Sequence, residues 1–430
     1  MKSPALRAIL ERVLLLVGTL LLLAIGAELA LRYGLPLVKP RFTRVDPDLG
    51  WHHNSSVGMH GEREGHAFYL SYNNHGFRPP DRSFEKPSDQ RRIVVLGDSF
   101  VDGAEVGDDE VFTWKLNERL DGFEVINLGV YGYSTSQELV MLQKYGLKYD
   151  PDMVLLVTLP NDFVGNYTTI GDFGPTPTFV LKDGEIQFRA TDHPHTRAQF
   201  RATHLPIPGA PYLHQNSHLY YALNHYIYQR LNSDSIVRLR NAERESVDVE
   251  TRATIYQAIV NRMNELCVAN DVPFAVLMIY DEQQLVRNKI SPNLELAEAL
   301  RQDGIDVIDL FDDLKSAQAS GADSLYYEED IHWNATGHAE VARILESRLP
   351  EIWPSELGKL SATESAAKTR IFTTPSGDLG DHERLLVRRQ PSPQKGAQGP
   401  SESIRLSGER RQPSAIESSH LIRPRTRGSG

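Results

Sequence analysis

From Arg92 onward, short apolar runs alternate with stretches of helical length and mixed polarity. The runs are Ile93–Leu96, Val125–Leu128, Met153–Leu159, Phe274–Ile279 and Val307–Leu310. All are rich in β-branched residues or Leu, and Gly, Pro or Asp bounds them. An unbroken apolar run of strand length marks a strand buried on both faces. Between the runs, helices are predicted over Glu110–Leu120, Ser136–Tyr145, Val249–Asn270, Asn293–Asp303 and Ala335–Arg348. This alternation predicts an α/β domain: a parallel sheet covered by helices, with right-handed crossovers.

Other segments depart from the rhythm. At the N-terminus, Lys2, Arg7 and Arg12 precede an apolar run, Val13–Ala27, which Leu29-Ala30-Leu31 extends past Glu28. The stretch approaches the ~20 residues that span a bilayer. It is read as an uncleaved anchor over residues 1–33, with a short basic tail in the cytoplasm and the body exported. The rival is a signal peptide cut near Ala24-Ile25-Gly26. Residues 34–90 form a polar lead-in with short extended pieces such as Ala67–Ser71 and a turn at Asn73-Asn74-His75-Gly76. The main domain is assigned to residues 91–354. Within it, residues 163–248 are too long for a simple loop and rich in prolines, histidines and aromatics; they read as an insertion that caps a site.

Composition narrows the function. The chain has 430 residues and a net charge of −11, which argues against a nucleic-acid partner. Residues 355–430 carry 13 Lys+Arg against 8 Asp+Glu, which leaves −16 on residues 1–354. That basic tail is rich in Ser, Pro, Arg and Gly and nearly free of aromatics, so it is expected to be disordered. The single cysteine, Cys267, falls in a predicted helix and is read as a packed small hydrophobe.

Four pieces carry chemistry. Gly97-Asp98-Ser99-Phe100 follows the first strand and sets a serine at its carboxyl end, where open α/β sheets build sites. Read plainly, it is also a helix N-cap. Asn127-Leu128-Gly129-Val130-Tyr131-Gly132 follows the second strand and offers a glycine N–H as an oxyanion donor, Gly132 ahead of Gly129. Leu159-Pro160-Asn161-Asp162 follows the third and offers an asparagine amide, or an Asx-turn. Glu329-Asp330-Ile331-His332-Trp333-Asn334 precedes the last helix. A histidine there, paired through Nδ1 with a carboxylate upstream, has Nε2 free to take a proton from Ser99. A metal reading on His332, His338 and Asp330 fits no ligand spacing.

Taken in order, these blocks resemble the SGNH/GDSL hydrolase superfamily of serine esterases, lipases and carbohydrate deacetylases. The four letters match Ser99, Gly132, Asn161 and His332, over roughly residues 92–350. The family usually sets its aspartate three residues before the histidine. Here Glu329 stands there, and Asp330 stands two before, a spacing similar to that of SGNH-like alginate O-acetyltransferases. Asp330 is therefore assigned the orienting role, with Glu329 as runner-up. The resemblance implies a flavodoxin-like α/β/α sandwich with a five-stranded parallel sheet. It implies a catalytic Ser99–His332–Asp330 triad and an oxyanion hole of Ser99, Gly132 and Asn161.

The expected function is a membrane-anchored ester hydrolase on the outer side of the membrane, acting on a small-molecule, glycan or lipid ester. The alternatives are an O-acetyltransferase or deacetylase of an envelope polysaccharide, working with envelope partner proteins, and an inactive SGNH-like scaffold that binds glycans. No cofactor or metal enters this reading. In the insertion, His193, His195, His204, His214 and His218 are read as surface and lid histidines. Tyr220, Tyr221, Tyr226 and Tyr228 are read as pocket wall or cap packing.

Overall fold

In the computed structural model, the described residues are 4–34, 43–159, 162–171, 174–183, 185–288, 293–320, 324–328 and 330–353. The chain divides into one compact unit over Met1–Gly380 and another over Asp381–Gly430, the latter entirely outside the described residues, as is the predicted tail. The apolar helix Pro4–Leu29 opens the chain. Two antiparallel hairpins follow: β1 (Thr43–Asp46) pairs with β2 (Gly50–His53), and β3 (Val57–Arg63) with β4 (His66–Tyr72).

The five apolar runs form a single parallel sheet. They are β5 (Arg91–Leu96), β6 (Phe123–Asn127), β7 (Met153–Thr158), β10 (Phe274–Met278) and β11 (Asp306–Asp309), and the spatial order is β11-β10-β7-β5-β6. The remaining pair, β8 (Thr178–Lys182) and β9 (Glu185–Arg189), is an antiparallel hairpin inside the insertion. All but one of the β5 residues and all of the β7 residues are buried, as strands covered on both faces must be. This is the flavodoxin-like order. The chain leaves β5 for β6 at one edge, then crosses back past β5 to β7. Such a reversal opens a crevice at the carboxyl ends of the strands, and Ser99 lies there.

The predicted helices appear with shifted ends. The first begins at Phe112 rather than Glu110, because Glu110 is spent on a turn: its carboxylate accepts the Gly107 N–H at 2.7 Å. The last runs on to Ile352, past Pro350, since Leu349 is fully buried and its carbonyl accepts the Trp353 N–H at 2.9 Å. A short helix, Ser99–Asp102, was missed; Asp98, not Ser99, caps it, accepting the Phe100 N–H at 3.0 Å. Cys267 is buried as expected, and burial pushes its thiol up to about 12. In the insertion, His204 is buried and stacks on Phe200 at 4.0 Å, contrary to a surface role. Phe200, Ala210 and Tyr220 there form a small core of their own, and His204 belongs with it. The His195 side chain lies outside the described residues.

The Ser99 helix is fixed to the sheet by Asn127. Its amide donates to the Val101 carbonyl at 2.5 Å and to Thr113 Oγ1 at 2.9 Å, while its oxygen accepts the Gly129 N–H at 2.9 Å. Gly129 is needed for the approach: a Cβ there would sit 2.3 Å from the Asp102 nitrogen. Backbone cannot step aside as a side chain can. Gly129→Ala should therefore cost about 1–3 kcal/mol, as overpacking does, and a urea unfolding curve with unchanged slope and a lower midpoint is the expected result.

Candidate active site

Ser99 is the first residue of its helix, 7% exposed, and its Oγ lies 2.6 Å from His332 Nε2. The other ring nitrogen, Nδ1, is 2.7 Å from Asp330 Oδ1. Three side chains predicted to act together thus form one hydrogen-bonded line. The loop carrying two of them is held on both sides. Asn334 caps the last helix by accepting the Gly337 N–H at 3.0 Å, and its own N–H donates to the Leu325 carbonyl at 3.0 Å. Tyr327 N–H donates to the His332 carbonyl at 3.1 Å. Trp333 is fully buried and meets Phe100 edge-on at 4.9 Å, so the residue beside His332 is packed on the residue beside Ser99.

Burial by itself would lower the His332 pKa, yet it stands above the ordinary histidine value. The hydrogen bond to Asp330, its charge, and the more distant Asp98 and Glu105 outweigh the desolvation. For Asp330 burial works upward, but His332, the Ile331 N–H and Arg63 hold the carboxyl below its usual range. Arg63 was not foreseen. It comes from β3 in the lead-in, with Nη2 3.5 Å from Asp330 Oδ2 and Nε 3.4 Å from Glu105. Glu105 has the left-handed φ of 66°, unusual without glycine, and its carbonyl accepts the Tyr327 hydroxyl at 2.8 Å. The only sequence signal for Arg63 is a basic residue at the end of a predicted-polar segment, which singles out nothing.

Gly132 takes φ of 76°, a conformation that favours glycine. The Tyr131 carbonyl accepts the Trp51 indole N–H at 3.1 Å. In a trans peptide the next N–H points the opposite way, so the Gly132 N–H faces away from Trp51. The Tyr131 ring lies 6.0 Å from that of His332, which sets this peptide beside the site. The Gly129 N–H is taken by Asn127, so of the two glycines only Gly132 keeps a donor available among the described residues. Asn161 and Glu329 lie outside the described residues. His338 is buried and its Nδ1 accepts the Phe112 N–H at 3.3 Å, a helix-starting role. A cleft of about 980 Å³ lies elsewhere, between Asp46–Gly50 and insertion residues such as Thr191, Arg197 and His214; Ser99, Asp330 and His332 do not line it.

The sheet order is that of a flavodoxin-like α/β/α fold, and part of the chain is similar to an SGNH hydrolase-like domain. Residues 279–412 match the family model described as "SGNH hydrolase-like domain, acetyltransferase AlgX". No curated protein matches the chain. Similar solved structures include a lipolytic protein of the G-D-S-L family from Veillonella parvula, at 13% identity over 59% of this chain and 96% of that one, TM-score 0.33. A catalytic mutant of Axe2, an acetylxylan esterase from Geobacillus stearothermophilus, is similar at 12% identity over 61% and 95%, TM-score 0.34. TesA is similar at 10% identity over 61% and 99%, TM-score 0.36.

The electrostatics give a direct prediction. Histidine-selective NMR should find His332 titrating above 6.5. Asp330→Asn removes the partner that favours the imidazolium, so the midpoint should fall. Arg63→Gln removes a cation that disfavours it, so the midpoint should rise. A midpoint unmoved by Asp330→Asn would show that this pair does not govern the ring.

Proposed function

We propose that this chain is a serine hydrolase acting on ester bonds, anchored in a membrane by its N-terminal helix with the catalytic domain on the extracytoplasmic side. The observation that carries the reading is the unbroken Ser99–His332–Asp330 line, because a serine hydroxyl becomes a nucleophile only when a base stands ready for its proton. Ser99 Oγ attacks the ester carbonyl while its proton passes to His332 Nε2. Asp330 holds the Nδ1 proton and stabilises the imidazolium. The oxyanion takes hydrogen bonds from the Ser99 and Gly132 N–H groups and from Asn161. Collapse expels the alcohol, which takes the proton from His332. The acyl group left on Ser99 then passes to water, His332 again accepting a proton.

A second outcome of the same intermediate is transfer to a sugar hydroxyl. Two observations favour it: the match of residues 279–412 to an acetyltransferase family model, and the aspartate two residues before the histidine. The chemistry up to the acyl-Ser99 stage is the same, and only the acceptor differs. The anchor is supported by a helix whose side chains from Ile9 to Leu29 are largely exposed and apolar.

A fluorophosphonate probe should label the wild-type protein and not Ser99→Ala; labelling of the variant would exclude Ser99 as nucleophile. With acetyl esters, kcat/KM should decline as pH falls through the His332 pKa, since only the neutral ring accepts a proton, and because that pKa is raised the acid limb should lie above 6.5. Asp330→Asn should lower kcat by about three to four orders of magnitude. Trp51→Phe keeps an aromatic in the core but frees the Tyr131 peptide. It should lower kcat by up to about a hundredfold, the value of one oxyanion donor, with KM little changed. Adding acetyl-accepting oligosaccharides to the same assay separates transfer from hydrolysis.

A further inference from the structure

The carboxyl end of the N-terminal helix is not a loose tether. Glu28 accepts hydrogen bonds from Ser217 Oγ at 2.9 Å, the His218 N–H at 3.1 Å and the Leu219 N–H at 2.8 Å. Arg32 donates to Glu28 at 2.8 Å and to the Asn216 carbonyl at 2.8 Å. An acidic residue at the end of an apolar span is costly in lipid unless it is paired. Here its partners are residues of the insertion, which must therefore stand where the span ends.

The segment that leaves this contact is helical and two-faced. Tyr220, Asn224 and Ile236 turn inward, whereas Leu223, Tyr226, Ile227, Leu231 and Val237 are between 39% and 80% exposed. Leu223, Tyr226, Ile227 and Leu231 stand at i, i+3, i+4 and i+8, the spacing of one helical face, which makes an apolar stripe. Tyr212, on the helix just before the contact, is 67% exposed. Arg230 lies over the Tyr226 ring at 5.9 Å, and Asp234 and Arg238, further along the chain, are exposed. Soluble surfaces seldom carry such a stripe without a partner. A helix with an apolar stripe, tyrosines and flanking arginines suits the boundary between acyl chains and headgroups.

We infer that the stripe Leu223–Tyr226–Ile227–Leu231 lies in the lipid interface of the membrane that the N-terminal helix spans. The insertion is then a second membrane contact, continuous with the anchor through Glu28. This rests on the anchor reading above, and the test separates the two. The full chain with Cys267→Ser and Ile227→Cys is labelled with bimane and placed in nanodiscs of phosphatidylcholine and phosphatidylglycerol, with an N-terminal epitope retained. The same label at Val268→Cys is the reference. Val268 is exposed at the end of the helix that runs from the insertion to the opposite edge of the sheet. The proposal expects shallow nitroxide lipids to quench residue 227 at least twofold more than residue 268, and aqueous iodide to quench it at least fivefold less. Leu231→Cys repeats the measurement should residue 227 disturb folding.

Epitope retention with residue 227 as open to iodide as residue 268 overturns the proposal and leaves the anchor standing. Loss of the epitope with lipid quenching kept overturns the anchor and leaves the interface face standing. Iodide exclusion without lipid quenching means a protein surface covers the stripe; a 227–227 crosslink would assign it to a second copy. Either result overturns the proposal.

Discussion

The contact between Ser99 and His332 joins residues 233 positions apart, and most of what is distinctive in this molecule serves to hold it at 2.6 Å. Neither group can find the other by local preference. The serine is fixed by a four-residue helix whose stability cannot be its own, since so short a helix is unstable alone. Asp98 caps it, Asn127 binds its carbonyl from the next strand, and Gly129 lets that strand's loop come against it. The histidine is fixed by a loop clamped at both ends, and Gly337 allows the clamp: a Cβ there would lie 2.1 Å from the Leu325 oxygen. Phe100 and Trp333 then press the two fixed pieces together. A buried aromatic pair adds roughly 0.5–1.5 kcal/mol beyond its area, and here that energy is spent where position matters.

The lead-in hairpins extend the same logic outward. Trp51 is fully buried in the main core, so β2 is fastened to the sheet by one large side chain. The same indole N–H fixes the Tyr131 peptide, and the Tyr133 hydroxyl returns a bond to the Trp51 carbonyl at 2.5 Å. From the second hairpin, Arg63 reaches the outer oxygen of Asp330, and Glu64 accepts the Glu328 N–H at 3.0 Å. Tyr72 donates to Asp102 at 3.2 Å just behind the serine helix, where burial pushes that carboxyl up to about 7. The segment before the first sheet strand thus touches each of the three pieces that bear the site.

These contacts explain what was and was not legible in the sequence. Buried parallel strands announce themselves as apolar runs, and Ile93–Leu96 and Met153–Thr158 did. Ser99 and His332 could be paired because each stands beside a recognisable structural mark, a strand end and a helix cap, while the choice of Asp330 over Glu329 came from the resemblance. Gly132 could be placed ahead of Gly129, but that Asn127 takes the Gly129 N–H was not legible, because that bond forms only in the folded loop. Arg63, Trp51 and Glu105 carried no signal, since each acts through a tertiary contact with a residue far along the chain. His204 was misjudged for a related reason: a histidine that stacks on Phe200 within a small core looks, as a sequence, like any polar insertion residue.

Topology ties the N-terminal helix to the edge of the sheet that bears Ser99. The insertion departs just after β7, at the carboxyl edge of the sheet, and Ser99 follows β5 at that same edge. The N-terminal helix ends on the insertion through Glu28 and Arg32 rather than on the opposite edge. The edge of the sheet that bears Ser99 is therefore the edge that carries the segment on which the N-terminal helix docks. A domain on a long flexible linker would sample all orientations, and its site would meet soluble and membrane-associated esters alike. Under the proposed anchor reading, fastening at this edge would restrict the domain's rotation and favour substrates presented at a fixed height near the membrane. On that reading, helix length and site position would act as one constraint on which acyl groups reach Ser99.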